Sequence, residues 1–384
     1  MSFEKILNKS NSYKFYKNNY LSLSEKINDY ECELKNLNIE LDNLKSDLDI
    51  FINRLIENDN DYQFIFSVII ALYNTELYLK DALDSIINQS FPLDKIQIIL
   101  IDDGSTDNSK KICEEYMEKY PNNFVYIYQE NKGQANARNN GLNYAKGKYL
   151  NFLDSDDKLE LNTLKEVYCH FIKFGEEIDV ITIPRYFFGA LNGPAPNSEK
   201  YTKNRIVDIE SEYDFPQVAI NASFIRSDSL HEKFDSRLVI SEDSLLLNKT
   251  ILNKGKFGVL GNVKYLYRKR EELNSTIDTK KTQKEYFSLR MEIYFKELIN
   301  YSSEIYNHVP KYIQSVLIYD LYWLFKQKTE VNILSDDEKK EFYNHIFDVM
   351  QYIEDELILS QNFEESVKKV MIKFKHGECD FNGL

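Results

Sequence analysis

Apolar side chains near the start of the chain fall at Ile27, Tyr30, Leu34, Leu37, Leu41, Leu44, Leu48, Phe51 and Leu55. The steps alternate three and four over about four repeats, which is the seam of a coiled coil. No Gly or Pro interrupts it, and Glu, Lys, Asp and Asn fill the positions between. The seam is narrower than the stripe of a helix that lies on a core, and this favours self-association. The alternative is a single amphipathic helix packed on the next domain. Residues 1–20 are polar and are expected to be poorly ordered or loosely helical. Asn58-Asp59-Asn60-Asp61 breaks the helix and reads as a short linker.

The period then changes. Phe64-Ile65-Phe66-Ser67-Val68-Ile69-Ile70 is a continuous apolar, β-branched run, as in a buried parallel strand. Similar runs follow at Ile96–Ile101, Phe124–Tyr128, Lys148–Leu153 and Asp179–Ile183. Helical patterns over 76–88, 107–119, 133–145 and 161–174 separate them. Strand and helix in regular alternation predict an α/β, doubly wound, mostly parallel sheet. Residues 184–212, with Pro184, Gly193, Pro194 and Pro196, read as a long loop or insertion near the sheet edge. Beyond Thr279 the spacing is helical to the end. Three segments are expected: a helical or coiled-coil segment over 1–60, a catalytic domain over 61–280 and a helical subdomain over 281–384.

Composition narrows the function. The formal charge of −14 over 384 residues argues against a nucleic-acid binder, which needs a basic face. Cys32, Cys113, Cys169 and Cys379 have no paired spacing, so free thiols in a reducing compartment are expected. No His/Cys spacing suggests zinc. No apolar run is long enough to span a bilayer and no signal-peptide core is present, so the cytoplasm is the default address, with association at the inner membrane face through partners left open.

The chemistry gathers at strand ends. The strand before Phe152-Leu153-Asp154-Ser155-Asp156-Asp157 delivers Asp154 and Asp156 to its carboxyl edge, where an open α/β sheet binds ligands. Two hard oxygen ligands there suit Mg²⁺ or Mn²⁺ holding a diphosphate, and an acidic turn on an acidic protein is the bland alternative. The strand ending at Ile101 runs into Asp102-Asp103-Gly104-Ser105-Thr106-Asp107. Capping explains the small polar residues but not two adjacent carboxylates, one of which can accept a hydrogen bond from a nucleobase. Arg138, on the helix after Asn131-Lys132-Gly133, points at the same edge and can counter a diphosphate; a surface arginine is the alternative.

Together Ser67–Asn74, Ile101–Ser109, Asn131–Gly141 and Phe152–Asp157 resemble family 2 glycosyltransferases of the GT-A fold, in order and spacing, over about residues 64–280. The resemblance implies a nucleotide-diphospho-sugar donor, most often a UDP-sugar, and a metal-holding DxD motif of Asp154 and Asp156, with Asp156 the more direct ligand of the two. It implies that Asp103 reads the uracil, that Ala71 and Tyr73 line that pocket, and that Asn131 and Arg138 lie along the base and phosphate path. Ala71 stands where the family usually has proline. An ED pair in these enzymes carries the base, which assigns Asp243 as general base and Glu242 as its neighbour; charge complementation of a helix start is the alternative. Tyr265–Arg270 with Asn274-Ser275-Thr276 resembles the strand and mobile loop that cover the donor phosphates, with Lys269, Arg270 and Ser275 as contacts. A basic strand end is the alternative there. Pro310–Lys326, with Gln314, Tyr319, Asp320 and Trp323, resembles more weakly a helical extension of bacterial enzymes that build or decorate wall and capsular polymers.

The expectation is therefore an inverting, metal-dependent hexosyltransferase, using Mn²⁺ or Mg²⁺, that acts on a saccharide or polymer acceptor and assembles as a homo-oligomer through its coiled coil. A nucleotidyl or phospho-sugar transferase would use the same metal site with little need for Asp243. A coiled-coil scaffold with a degenerate domain is disfavoured, because Asp103, Asp154, Asp156 and Asp243 are all present.

Overall fold

The computed structural model describes residues 3–59, 61–270, 283–326 and 333–378. The chain divides into two compact units, Met1–Asp61 and Tyr62–Leu384. The first is one uninterrupted helix, α1 (Phe3–Asn58), so the segment before residue 20 is helical as well. Its seam residues Leu34, Leu37, Leu41, Leu44 and Leu48 are all exposed.

In the second unit the alternation of periods produces the alternation of elements. Strands β1 (Phe64–Leu72), β2 (Ile96–Asp102), β3 (Phe124–Tyr128) and β4 (Gly147–Phe152) are joined through α2 (Leu79–Ile87), α3 (Ser109–Lys119) and α4 (Gln134–Leu142). All four strands run parallel, in the order β3-β2-β1-β4. The carboxyl ends of β1, β2 and β4 therefore share one edge. After β5 (Lys158–Leu159) and α5 (Thr163–Phe174), β6 (Val180–Thr182) extends the sheet in the same direction, separated from β4 by antiparallel β10 (Ser223–Arg226). The stacked pair Tyr149 and Phe171, with ring centroids 4.1 Å apart, seats α5 on β4.

The 184–212 segment is more ordered than its Pro and Gly content suggests. It contains β7 (Arg185–Gly189), β8 (Gly193–Pro194) and β9 (Arg205–Asp208). β9 closes the far edge of the eight-stranded sheet against β11 (Lys256–Val259). β7 and β8 join β5 and β12 (Tyr265–Lys269) in a separate four-stranded sheet of order β5-β12-β7-β8. The pattern hides them because proline has no N–H to give a ladder, and the two residues of β8 are too few to show a period.

Helix α6 (Glu242–Lys254) and the C-terminal helices α7 (Lys296–Tyr306), α8 (Lys311–Lys326), α9 (Asp336–Met350), α10 (Asp355–Ser360) and α11 (Glu365–Lys375) share one hydrophobic core with the sheet. That core runs from Ile69 and Phe152 through Leu246 and Phe257 to Tyr312, Leu317 and Met350. Close approach of α4 to β1 depends on Gly141, where an added Cβ would meet Ile69 Cγ2 at 2.5 Å. Ile69 is β-branched and buried, so it cannot turn aside. Among the described residues no helix is long and apolar enough to cross a membrane.

Candidate active site

Three loops converge at the carboxyl edge. The loops after β1 and β2 are laced together: Asn74, in the left-handed region at φ 51°, accepts from Thr106 N–H at 2.8 Å, and Thr75 N–H donates to Ser109 Oγ at 3.0 Å. Asp102 is fully buried and accepts from Ser105 N–H and the Tyr126 hydroxyl, both at 2.7 Å. Its partner Asp103 accepts from Gln129 Nε2, Lys132 N–H and Gly133 N–H at 2.8–2.9 Å, which pins the loop into α4. Gly104, at φ 85°, lets the turn pass Asn131, whose N–H would lie 3.1 Å from an added Cβ. Tyr73 and Asn131 remain exposed and Ala71 half-buried, so these three form an open rim.

Behind the rim lies a charged cluster. Arg138 is only 4 % exposed, which removes the surface-arginine reading. Its Nη2 donates to Asp154 Oδ1 at 2.9 Å and its Nη1 to Glu242 Oε1 at 3.4 Å, with the guanidinium 5.4 Å from the Phe234 ring centre. Burial opposes its charge, but Asp154, Glu242 and Asp243 outweigh that and hold the guanidinium above its usual value. Asp154 is held further by Gln134 Nε2 at 3.0 Å and Asn221 Nδ2 at 2.9 Å. Beside Glu242, Asp243 is pushed up to about 7, first by burial and then by the Glu242 charge, against the pull of Arg138. A carboxyl poised there is a general-base candidate.

The turn beyond Asp154 is held by β12. Arg268 N–H donates to Asp157 Oδ1 at 2.7 Å, the Tyr265 hydroxyl donates to Asp157 Oδ2 at 2.7 Å, and Arg268 Nε donates to the Asp156 carbonyl at 2.7 Å. Burial, with Asp154 and Asp156 nearby, raises Asp157 well above the usual carboxylate range. Arg270 places Nε and Nη2 on Asp156 Oδ2 at 3.0 and 2.6 Å. Burial raises Asp156 while Arg270 opposes the rise. Strand alternation carries Lys269 to the other face, over the Phe187 and Tyr267 rings at 4.8 and 4.9 Å. Ser275 lies outside the described residues.

Asp154 and Asp156 therefore stand together with hard oxygens at the carboxyl edge of the sheet, the edge where open α/β sheets bind ligands. Among the described residues no group of three or more His, Cys, Asp or Glu side chains could form a metal cage. That donor set fits Mg²⁺ or Mn²⁺, which take one or two carboxylates and leave other positions to phosphate and water. Gln134, Asn221, Asp157, Tyr265 and Arg268 also shape the site. Gln134 was legible, since it lies four residues before Arg138 on the same helix face. Asn221 reaches the site across a long sequence gap and carries no local signal, whereas Tyr265 opens the Tyr265–Arg270 segment already singled out.

Residues 67–231 match the model of the family described as glycosyl transferase family 2. The chain is 37 % identical over 325 residues to the minor teichoic acid biosynthesis protein GgaB of Bacillus subtilis, covering 84 % of this chain but 36 % of GgaB. It is 31 % identical over 316 residues to the minor teichoic acid biosynthesis protein GgaA of the same organism, covering 80 % of this chain and 71 % of GgaA. The chain thus spans about a third of GgaB and most of GgaA. Residues 1–349 of S. aureus TarS, solved in complex with UDP-GlcNAc, superpose with a TM-score of 0.64 at 21 % identity, over 81 % of this chain and 87 % of that one. That likeness is one of fold, the GT-A fold.

Arg138→Leu is expected to cost about 3–5 kcal/mol in urea unfolding, because it strands buried carboxylates. Adding Asp154→Asn and Glu242→Gln should recover most of the loss. Absence of recovery would show that Arg138 acts through packing and not charge.

Proposed function

The chain belongs to glycosyl transferase family 2, and we propose that it is an inverting, metal-dependent enzyme that moves a sugar from a UDP-sugar to a hydroxyl of a surface polymer or its lipid-linked precursor. The observation that carries this reading is Arg138, which joins Asp154 of the DxD turn to Glu242 beside Asp243. A donor-side carboxylate and an acceptor-side carboxylate share one buried cation. A phosphorus-directed transferase would use the DxD turn but has no need of a carboxyl raised to about 7 in the same cluster.

In this reading Asp103, Ala71 and Tyr73 line the uracil pocket, and Asn131 borders the path to the diphosphate. Asp156 and Asp154 would hold Mn²⁺ or Mg²⁺, which would supply positive charge to the leaving diphosphate. Arg270 and Lys269 stand on the strand that covers that region, with Ser275 following it. Asp243 takes the proton from the acceptor hydroxyl as oxygen attacks the anomeric carbon. Glu242 shares Arg138 and orients the pair. One displacement with one base inverts the anomeric centre. The names of GgaB and GgaA favour a teichoic acid as the acceptor.

The α1 seam makes the protein a homo-oligomer, which gives a polymeric acceptor several linked sites at high effective concentration. A wall polymer precursor as acceptor would favour a cytoplasmic address, with association at the inner membrane face through partners.

Incubation with UDP-sugars, Mn²⁺ and a teichoic acid polymer should release UDP from one donor. Asp243→Asn should cut that turnover about 10²–10⁴-fold, and Asp156→Ala should abolish metal-dependent UDP binding. Wild-type protein with neither turnover nor metal-dependent UDP binding would contradict the reading. Asp243 must be ionised to act, and its folded value is raised to about 7, so turnover should be low in acid and climb as pH rises through about 7. A flat profile from acid to alkaline pH would count against Asp243. In sedimentation the full chain should run as an oligomer and Leu34→Glu/Leu41→Glu as a monomer; a wild-type monomer would reject the coiled coil.

A further inference from the structure

The C-terminal helices carry a buried polar cluster that the transfer chemistry leaves unused. Asp320 on α8 is 9 % exposed and Arg290, in a π-helical turn over Arg290–Phe295, is 5 % exposed. Both sit within apolar packing that includes Met291, Phe295, Leu317 and Leu321. A buried ion pair is weak as a source of stability, since apolar residues of the same volume often do as well. Its geometry is more informative than its charge.

Each oxygen of Asp320 serves one arm. Oδ1 accepts from Arg290 Nη2 at 2.7 Å, and Oδ2 accepts from the Tyr294 hydroxyl at 2.5 Å. Arg290 then donates from Nε to Ser241 Oγ at 3.1 Å. Tyr294 has a single proton, already directed to Asp320, so the Ser244 hydroxyl donates to Tyr294 Oη at 3.0 Å. Asn248 Nδ2 supplies Ser244 Oγ with a donor at 3.3 Å. The two arms therefore end on Ser241 and Ser244, the residues that bracket Glu242 and Asp243.

Ser241 is not behaving as its position suggests. A serine just before a helix ordinarily caps it through its hydroxyl. Ser241 makes no side-chain capping bond and sits in the left-handed region at φ 70°, where a non-glycine residue is strained. Its oxygen is turned to Arg290 instead. On the other side, Ser244 N–H donates to Asp243 Oδ1 at 2.8 Å, so the orientation of Ser244 is read directly by the carboxylate. Glu242, Arg138 and Asp154 are the other charged groups facing Asp243.

We propose that Asp320, acting through Arg290 and Tyr294, is a two-armed clamp that sets the orientation of the Glu242–Asp243 pair, so that the C-terminal helices position the acceptor side of the reaction. The clamp residues are positioning residues and touch neither donor nor acceptor. This rests on the reading of Asp243 as general base. Arg290 and Tyr294 lie four residues apart on one helical face, and the π-helical turn that carries them is of a kind that collects at functional sites.

The test uses the full chain with two mild variants. Ser241→Gly accepts the left-handed backbone without strain and removes only the end of the arginine arm. Tyr294→Phe keeps the ring and removes the hydroxyl of the other arm. UDP release is followed with Mn²⁺, a teichoic acid polymer and UDP-glucose, UDP-N-acetylglucosamine or UDP-N-acetylgalactosamine, with Asp243→Asn in parallel. Each clamp variant should lower kcat about 10-fold or more, as misplacement of a reacting group does. Each should also move the acid limb of the kcat profile. Donor KM and the affinity for UDP with Mn²⁺ should stay within about twofold, because donor binding is untouched, and melting temperature should stay near wild type. Wild-type kcat and acid limb in both variants would overturn the clamp, as would a kcat loss that follows melting temperature with the acid limb unmoved. An inactive Asp243→Asn beside two fully active clamp variants would reject the clamp alone. A fully active Asp243→Asn would reject the base assignment, and the clamp with it.

Discussion

One buried guanidinium holds the site together. Arg138 sits on a helix that Gly141 allows close to the central sheet, and it pairs with Asp154 from the turn after β4 and Glu242 from the start of α6. These three elements come from distant parts of the chain, and no local preference would bring two carboxylates of the same sign together. At short range in a dry site their mutual repulsion is far stronger than in water. The arginine reverses that balance, and it does so with planar, directional donors that a lysine would not supply. Removing it leaves two charges without a partner, which is why the pair can be costly to break while adding little net stability when whole.

From that centre the two sides of the site diverge in character. The proposed donor side is built on loops pinned by backbone donors: Asp103 to Lys132 and Gly133, Asn74 to Thr106, Asp157 to Arg268. Such contacts fix geometry with few rotatable bonds and leave Tyr73 and Asn131 open at the rim. The second sheet adds Tyr265, Arg268 and Arg270 to the same turn from one strand. The proposed acceptor side depends instead on side chains of the helical region, through Ser241 and Ser244. The C-terminal helices share the core of the catalytic sheet, so the rigidity of one is passed to the other by packing.

What was legible in the sequence was what repeats over short distances. The apolar runs at Phe64–Ile70 and Ile96–Ile101 and the helices between them appear within a few residues of their expected places. The carboxylates at the ends of β2 and β4 were legible because a strand end fixes its own edge. Less local facts were not. Arg138 and Glu242 lie 104 residues apart, and nothing in either neighbourhood names the other. Strands β5 and β8 have two residues each, too few to show alternation. The period-two rule does separate Lys269 from Arg270, and of these two Arg270 reaches Asp156. Ser241 immediately precedes α6 without capping it, a fact visible only in its backbone angle and its bond to Arg290.

The proposed transfer is a single displacement driven by one carboxylate base on the face opposite the leaving diphosphate. The stereochemistry of the product tests it most directly. With an α-linked UDP-sugar as donor, the anomeric proton coupling of the transferred sugar, read by NMR on the product before any rearrangement, should be that of a β linkage. An α-linked product would require a second displacement or a different mechanism and would contradict the assignment of Asp243 and the account built on it.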